Sequence, residues 1–268
     1  MMLLKKNPIY YLNLSFLSSL MTLLVACGSD NSPTTDDTTN NDDEPDPSGF
    51  LGELVGVKTF GGSNVDQAVG VAESDDGGSV VLGSTNSADG DVDDRTSTDD
   101  YDYWVLKLNT DGEKQWSRTY GGTHDETATN IKKTTDGGYI ISGYSRSDDG
   151  YVSGNEGFHD YWMLKIDAGG KKIWDKNYGF NGSDKCFNVI QTKDGGYFAT
   201  GILDVTDSGG QGNDNPNPVH SLGDYWGIKM DANGDRVWRR YFGGSHVEES
   251  KDVLQTSDDG YLMIGYSE

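Results

Sequence analysis

Residues 102–122 read DYWVLKLNTDGEKQWSRTYGG, and the same pattern returns at 160–180 and at 224–244. Apolar and polar side chains alternate along Tyr103–Leu108, which is the two-residue period of a β-strand. An Asn-Thr-Asp-Gly turn then leads into a second predicted strand, Lys114–Tyr120. Each copy of the pattern therefore predicts two antiparallel strands joined by a tight turn.

A second hairpin precedes each of these patterns. Val69–Glu73 and Ser79–Leu82 are predicted strands on either side of an Asp-Gly turn, which is a strong short-range hairpin signal. Corresponding Asp-Gly turns follow in the later units. The units begin near Gly61, Gly121, Gly179 and Gly243, so the three complete ones measure 60, 58 and 64 residues. Four short antiparallel strands in each of several repeated units are typical of the blades of a β-propeller.

We therefore predict an all-β fold, a β-propeller of four-stranded antiparallel blades formed by residues 50–268. Three repeats are complete, and the fourth is partial. Glu53–Phe60 is predicted to be a strand of the fourth type, which gives fifteen strands. A closed four-bladed ring would bring Glu53–Phe60 into parallel pairing beside the last strand. The alternative, which we favour from the sequence, is that the chain is a truncated piece of a larger propeller with exposed edges.

The tryptophans follow the repeat, two in each complete unit. We interpret them as core residues rather than as a sugar-binding platform, because they recur at the same strand positions in every unit. They are Trp104, Trp116, Trp162, Trp174, Trp226 and Trp238.

The run from Asp102 to Gly122 resembles the repeats of a bacterial β-propeller-repeat family, often found in exported proteins of Bacteroidota. The similarity extends over residues 53–268 in successive units. The resemblance implies a propeller fold and an exported protein. It implies no particular activity, because the family has none in general.

The chain is strongly acidic, with 44 Asp and Glu against 21 Lys and Arg and a net charge of −23. Such a charge repels phosphates and argues against binding to nucleic acid. It is compatible with divalent cations.

Residues 1–26 have the features of a lipoprotein signal peptide. Lys5 and Lys6 precede a mostly apolar stretch that ends in Leu-Val-Ala-Cys27. This ending looks like the lipobox of bacterial lipoproteins, in which Cys27 would carry the lipid. Residues 27–49 are acidic and rich in Thr, Asn and Pro, so we expect a disordered tether. The resulting prediction is a lipid-anchored protein of the bacterial outer membrane, periplasmic or surface-exposed.

An acidic residue lies five positions after the start of each unit. If the units circle an axis, these four side chains form a ring that could bind Ca²⁺ through oxygen ligands. The alternative is that each carboxylate accepts hydrogen bonds from the backbone of its own Gly-rich turn. No cofactor other than this candidate Ca²⁺ is indicated. The residues are Asp66, Glu126, Asp184 and Glu248.

All differences in length between the units lie between the second and third strands, at 84–101, 144–159 and 202–223. Loops that vary on a constant framework often carry binding residues, although neutral drift is the alternative. The aromatic and imidazole side chains of these loops and of the connections between units are candidate ligand contacts. They are Tyr101, His124, Tyr151, Phe158, His159, His220 and His246.

The sequence contains none of the common catalytic or phosphate-binding motifs. We therefore expect a non-catalytic binding or scaffolding protein that presents its variable loops to a glycan, a protein or a cation. One alternative is a polysaccharide hydrolase or lyase that uses loop carboxylates. Another is a purely structural component of the cell envelope.

Overall fold

The computed structural model describes residues 9–13, 57–213 and 222–268. The chain divides into two units, residues 1–15 with 60–268 and residues 16–59. The first contains all the described strands, and the described part of the second is residues 57–59. The described residues are all-β and contain no helix. No helix long and apolar enough to cross a membrane occurs among them.

The described residues form fifteen strands, numbered here in chain order. Their bounds are β1 (Ile9–Asn13), β2 (Asp66–Glu73), β3 (Ser79–Thr85), β4 (Asp102–Leu108), β5 (Lys114–Tyr120), β6 (Glu126–Lys133), β7 (Tyr139–Ser145), β8 (Asp160–Ile166), β9 (Lys172–Tyr178), β10 (Lys185–Gln191), β11 (Tyr197–Asp204), β12 (Gly223–Met230), β13 (Arg236–Phe242), β14 (Glu248–Gln255) and β15 (Tyr261–Ser267).

The strands form four sheets. Sheet 1 (β2–β5), sheet 2 (β6–β9) and sheet 3 (β10–β13) each have four strands in sequential antiparallel order. Sheet 4 has the order β14-β15-β1, in which β14 and β15 are antiparallel. The predicted four-stranded antiparallel units are therefore confirmed for the three complete repeats, and the arrangement is consistent with a propeller-like fold.

Sheet 4 differs from the prediction in the strand that pairs with β15. Residues 57–60 are not in a strand, so the prediction for that part of Glu53–Phe60 is wrong, while 53–56 lie outside the described residues. A parallel strand beside β15 is present, but it is β1, with Ile9 opposite Tyr261 and Asn13 opposite Gly265. Ile9–Asn13 fall within the segment predicted as a signal peptide.

A glycine in the second strand of each sheet is required by a β-bulge in the first strand. In sheet 2 the register shifts between Ala128 and Asn130, opposite Gly143. A Cβ atom on Gly143 would lie 2.0 Å from the carbonyl oxygen of Thr127 and 2.2 Å from the hydroxyl of Tyr103. Bulged strands bring the backbone unusually close to a partner, and a residue without Cβ accommodates this. The equivalent positions are Gly83, Gly201 and Gly265.

Neighbouring sheets are joined through the Tyr-Trp pair of the third strand. Tyr103 of sheet 1 packs against Trp162 of sheet 2 with ring centroids 4.4 Å apart, and its hydroxyl donates to the Trp162 carbonyl at 3.2 Å. Tyr161 makes the same contacts with Trp226 of sheet 3. Of the six tryptophans, Trp104, Trp162 and Trp226 are buried, and Trp116, Trp174 and Trp238 are partly buried against the cores. These positions agree with the core interpretation.

A buried lysine connects the third strand of each complete sheet to the Asp-Gly turn of that sheet. The Lys165 side chain is 2% exposed, and its Nζ lies 3.0 Å from Asp136 Oδ2. Lys107 pairs with Asp76 and Lys229 with Asp194 in the same way. These pairs hold the turn against the third strand, because a buried ammonium group requires a partner.

We expect Gly143→Ala to destabilise the protein by about 2–4 kcal/mol, because the new methyl group meets a backbone carbonyl that cannot move away cheaply. Gly169→Ala is the matched control, since a Cβ there would meet only Asp167 Oδ1, at 3.4 Å. Urea unfolding of both variants measures the difference. Equal stabilities would show that the bulge tolerates a side chain.

Candidate functional site

The four acidic residues predicted as a ring each cap the turn that precedes their own strand. In every repeat one carboxylate oxygen accepts a hydrogen bond from the backbone N–H four residues earlier. The bonds are Gly62 N to Asp66 Oδ2 at 2.7 Å, Gly122 N to Glu126 Oε2 at 2.8 Å, Phe180 N to Asp184 Oδ2 at 2.9 Å and Gly244 N to Glu248 Oε2 at 3.1 Å. These are the hydrogen bonds that the turn-capping alternative predicts.

The second oxygen of each carboxylate accepts a hydrogen bond from the end of the neighbouring second strand. Thr85 donates to Asp66, Ser145 to Glu126 and Ser267 to Glu248 through their hydroxyls, whereas the backbone N–H of Asp204 donates to Asp184. No group of three or more His, Cys, Asp or Glu side chains in the described part of the chain is arranged to hold a metal ion.

Burial changes the proton affinity of two of these capping residues, Glu126 and Asp184, and of Asp160, which begins the third strand of sheet 2. Burial raises the pKa of Glu126 to about 7 and the pKa of Asp184 to about 8. The pKa of Asp160, which is fully buried, is raised to about 7 for the same reason. Hydrogen bonds to the charged forms oppose this shift but do not cancel it.

A cavity of about 320 Å³ opens where sheets 1, 2 and 3 meet beside the variable loops. Two of the predicted ligand contacts, Tyr101 and His159, line it together with Glu126. Tyr101 directly precedes β4, and His159 directly precedes β8, so each lies where a variable loop enters its third strand. The cavity is further lined by Gln67, Val69, Ser84, Asp125, Thr127, Ala128, Tyr144 and Lys185.

Aromatic rings and cations alternate along this site. The rings of Tyr144 and His159 pack edge to face with their centroids 5.2 Å apart, and those of Phe158 and His159 do the same with centroids 4.4 Å apart. Lys185 Nζ lies 5.4 Å from the centre of the Tyr144 ring, and the guanidinium of Arg146 lies 4.4 Å from that of Phe158. Such cation–π contacts hold long side chains in place beside the cavity.

His159 is uncharged at neutral pH. Burial lowers its pKa to about 4, and the nearby charges of Lys185 and Arg146 act in the same direction. One ring nitrogen, Nδ1, lies 2.9 Å from Ser183 Oγ, which orients the imidazole. The side chain therefore presents a neutral polar ring rather than a cation.

The carboxylates of the cavity are already engaged. Glu126 is bound through both oxygens to its own turn and strand end, as are its counterparts in the other repeats. Asp125 accepts a hydrogen bond from Tyr101 N at 3.1 Å and faces Arg146 Nη1 at 3.5 Å. The raised pKa of Glu126 is thus explained by its structural position, because Asp184 shows the same shift in the next repeat.

The other predicted contacts are dispersed. Tyr151, which is 42% exposed, lines a separate cavity of about 220 Å³ beside Arg95 and Asp102. Phe158 is 55% exposed and adjoins the main cavity through His159. His124 and His246 are exposed beside Thr123 and Ser245. His220 and Cys27 lie outside the described residues.

Sequence reasoning did not single out Tyr144, Arg146, Asp125 or Lys185. Tyr144 directly follows the invariant strand glycine, where the other repeats have Ser84, Ile202 and Tyr266. Lys185 follows the capping acid, where they have Gln67, Thr127 and Glu249. The sequence therefore did contain a signal for these residues. They stand at equivalent positions of the repeats at which the residue type changes from one repeat to the next.

No protein-family model matches the chain, and no curated protein matches it. Among solved structures, the chain is similar to a protein of unknown function from Bacteroides caccae, determined at 1.35 Å resolution. The identity is 11% and the TM-score is 0.26, with 74% of this chain and 72% of that chain covered. Similarity at this level carries no argument about function, and the resemblance to β-propeller repeats stays a prediction.

We expect the protein to lose about 1–3 kcal/mol of stability between pH 5 and pH 8. A carboxyl group whose pKa is raised by folding contributes stability below its unfolded pKa, near 4, and this contribution is lost as the pH rises through 7 to 8. Asp160→Asn should make the loss smaller, and the exposed Asp207→Asn should not change it. Urea unfolding at the two pH values measures the effect. If the Asp160→Asn variant loses as much stability between pH 5 and pH 8 as the unmodified protein, Asp160 does not contribute to the pH dependence.

Proposed function

We propose that the four sheets are blades of a β-propeller and that the protein is a non-catalytic binding protein of the bacterial cell envelope. The observation that carries this proposal is the convergence of Tyr101, Tyr144, His159 and Lys185, from three different sheets, on one cavity beside the variable loops. Ligand sites in proteins are typically concave, with aromatic walls and a few fixed polar groups. The cavity has both features.

The chemistry of the lining favours a saccharide as the ligand. Aromatic faces and edges pack against the C–H groups of a sugar ring, and neutral imidazole and phenol groups exchange hydrogen bonds with its hydroxyls. Lys185 adds a positive charge in a chain that is otherwise strongly acidic. This arrangement suits a glycan residue that carries a carboxylate or another anionic group.

The engagement of the cavity carboxylates supports binding without catalysis. Glycoside cleavage requires two carboxyl groups that flank the bond to be broken and are free to exchange protons with the substrate. Glu126 and Asp125 instead hold the framework, through Gly122, Ser145 and the backbone of Tyr101.

The location proposed for this binding protein follows from the first part of the chain. The apolar run that ends at Cys27 and the acidic residues 28–49 suit a lipid-anchored domain held away from the outer membrane by a tether. The membrane would then be one partner, through the lipid on Cys27, and a glycan the other.

Tyr144→Ala and His159→Ala should each weaken saccharide binding by tenfold or more, because each removes one wall of the cavity. The matched control is His246→Ala, an exposed histidine that does not line the cavity. The probe is an array of purified polysaccharide fragments, neutral and uronic-acid-containing, followed by calorimetry on the best fragment. No binding to any fragment would favour a purely structural role, and cleavage of a fragment would favour the enzyme alternative.

Cys27→Ser should abolish both lipid labelling and retention in the membrane fraction, because the thiol is the proposed attachment point. Incorporation of a labelled fatty acid and fractionation of cells that express the full chain measure this. Cys186→Ser is the control, since Cys186 is a buried free cysteine. Labelling that persists in Cys27→Ser would disprove the lipid anchor.

A further inference from the structure

A second, smaller cavity lies beside the connection from sheet 1 to sheet 2. Its volume is about 220 Å³, and its lining includes Arg95 and Asp100 of the first variable loop, Gly122 of the connection and Tyr151 of the second variable loop. Ligand pockets typically measure about 300–1,000 Å³, so this cavity has room for one small ring rather than for a chain of them. None of its lining residues lines the cavity of Tyr144.

The corresponding place at the next connection, from sheet 2 to sheet 3, is filled by the backbone of the second variable loop. A Cβ atom on Gly157 would lie 2.1 Å from the Phe180 carbonyl oxygen, and Phe158 N donates to the Gly182 carbonyl at 2.7 Å. Phe180 stands four residues before its capping acid, as Gly122 does. The cavity at Gly122 is therefore a feature of the first variable loop and not of the repeated framework.

Arg95 replaces the backbone group that binds the first aspartate of the third strand. In sheet 2 the backbone N–H of Glu156 donates to Asp160 Oδ2 at 2.7 Å. In sheet 1 Arg95 Nε donates to Asp102 Oδ2, also at 2.7 Å. Because a long side chain makes this bond, the main chain of the first variable loop does not have to approach the connection, and the cavity stays open.

Arg95 also has a free hydrogen-bond donor. Its side chain is only 4% exposed, and its Nη2 donates to both the side chain and the carbonyl of Asp100. Its Nη1 is buried and has no hydrogen-bond partner in the described part of the chain. A buried charged donor without an acceptor is costly, and such groups are rare in folded proteins. A ligand in the cavity would therefore be bound through an acceptor atom that meets Nη1.

The charges of the lining select the kind of acceptor. Three carboxyl groups, those of Asp94, Asp100 and Asp102, line the cavity against the one guanidinium of Arg95, which disfavours an anion. A protonated amine has no lone pair with which to accept from Nη1. A neutral hydroxyl group accepts from the guanidinium and donates to a carboxylate, so it satisfies both kinds of group in the lining.

Tyr151 adds a fixed aromatic surface to this polar site. Its side chain is 42% exposed, and its ring packs edge to face against that of Tyr120 with the centroids 5.4 Å apart. Lys172 Nζ lies 5.4 Å from the centre of the same ring and donates to the Tyr151 carbonyl at 3.1 Å. An aromatic ring held in this way packs against the C–H groups of a hydroxylated ring.

We propose that the Arg95 cavity is a binding site for a single neutral sugar ring. A sugar hydroxyl oxygen accepts a hydrogen bond from Arg95 Nη1, and the sugar packs beside the ring of Tyr151. The site is separate from the cavity of Tyr144 and His159, for which an anionic sugar is favoured, and it does not rest on the function proposed for that cavity.

The test is saturation-transfer NMR on the full chain in mild detergent, carrying Tyr144→Ala so that the other cavity does not contribute. The probes are the neutral methyl glycosides of glucose, galactose, mannose and N-acetylglucosamine, with methyl glucuronide as the anionic counterpart of the glucoside. At least one neutral glycoside should bind saturably, and the glucoside should bind more tightly than the glucuronide.

Two further substitutions should each weaken this binding by about tenfold or more, since each removes one of the proposed contacts. Arg95→Lys keeps the positive charge between Asp100 and Asp102 but lacks the planar group that presents Nη1. Tyr151→Ala removes the exposed ring without disturbing a buried charge, so it keeps the test informative if Arg95→Lys does not fold. The matched control is Tyr266→Ala, since Tyr266 is 38% exposed and does not line the cavity.

Three results would overturn the proposal. The first is that no neutral glycoside binds at tens of millimolar, which would leave water as the only partner of Nη1. The second is binding that neither Tyr151→Ala nor Arg95→Lys weakens, which would place the sugar elsewhere on the chain. The third is tighter binding of the glucuronide than of the glucoside, which would show that the three carboxyl groups do not exclude an anion.

Discussion

The contact between the third strands of neighbouring sheets is the interaction on which the rest of this structure depends. Tyr103 reaches across to Trp162, and it does so directly over Gly143, where a methyl group would lie 2.2 Å from its hydroxyl. The same glycine accommodates the bulge of the first strand. Sheet packing and strand geometry therefore require the same residue, which explains why a glycine stands within a largely buried strand.

Buried charged groups such as Lys165 and Glu126 hold turns in place through hydrogen bonds and ion pairs. Lys165 anchors the Asp-Gly turn of its sheet, and Glu126 anchors the Gly-rich turn before its strand. The two kinds of carboxyl group respond differently to pH. The pKa of Asp136 is lowered to about 2, with hydrogen bonds from Thr134, Lys165 and Gly138 outweighing its partial burial, whereas burial raises that of Glu126 to about 7. A protein without a disulfide among its described residues obtains a rigid framework in this way.

The candidate binding site arises where the repeats differ from one another on this common framework. Lys185 occupies a framework position that holds other residue types in the other repeats, Tyr144 occupies one that holds Ser84 and Ile202 in the other two complete repeats, and His159 ends a variable loop. Repetition fixes the backbone on which these side chains stand. Their different identities give the cavity at this junction a lining that the equivalent positions of the other described repeats do not repeat.

The amino-acid sequence was sufficient to predict most of the strands, because alternation, turn residues and their recurrence are local properties. Lys114–Tyr120 is a strand with the predicted bounds, and β2 extends three residues beyond its prediction, to Asp66, because pairing with β3 continues past the bulge. Residues 57–60 show the limit of such reasoning, since a strand needs a neighbour and local pattern does not supply one. The cavity could not be predicted from the sequence either. Tyr144 and Lys185 belong to sheets 2 and 3 and Tyr101 directly precedes a strand of sheet 1, and packing between those sheets brings the side chains together.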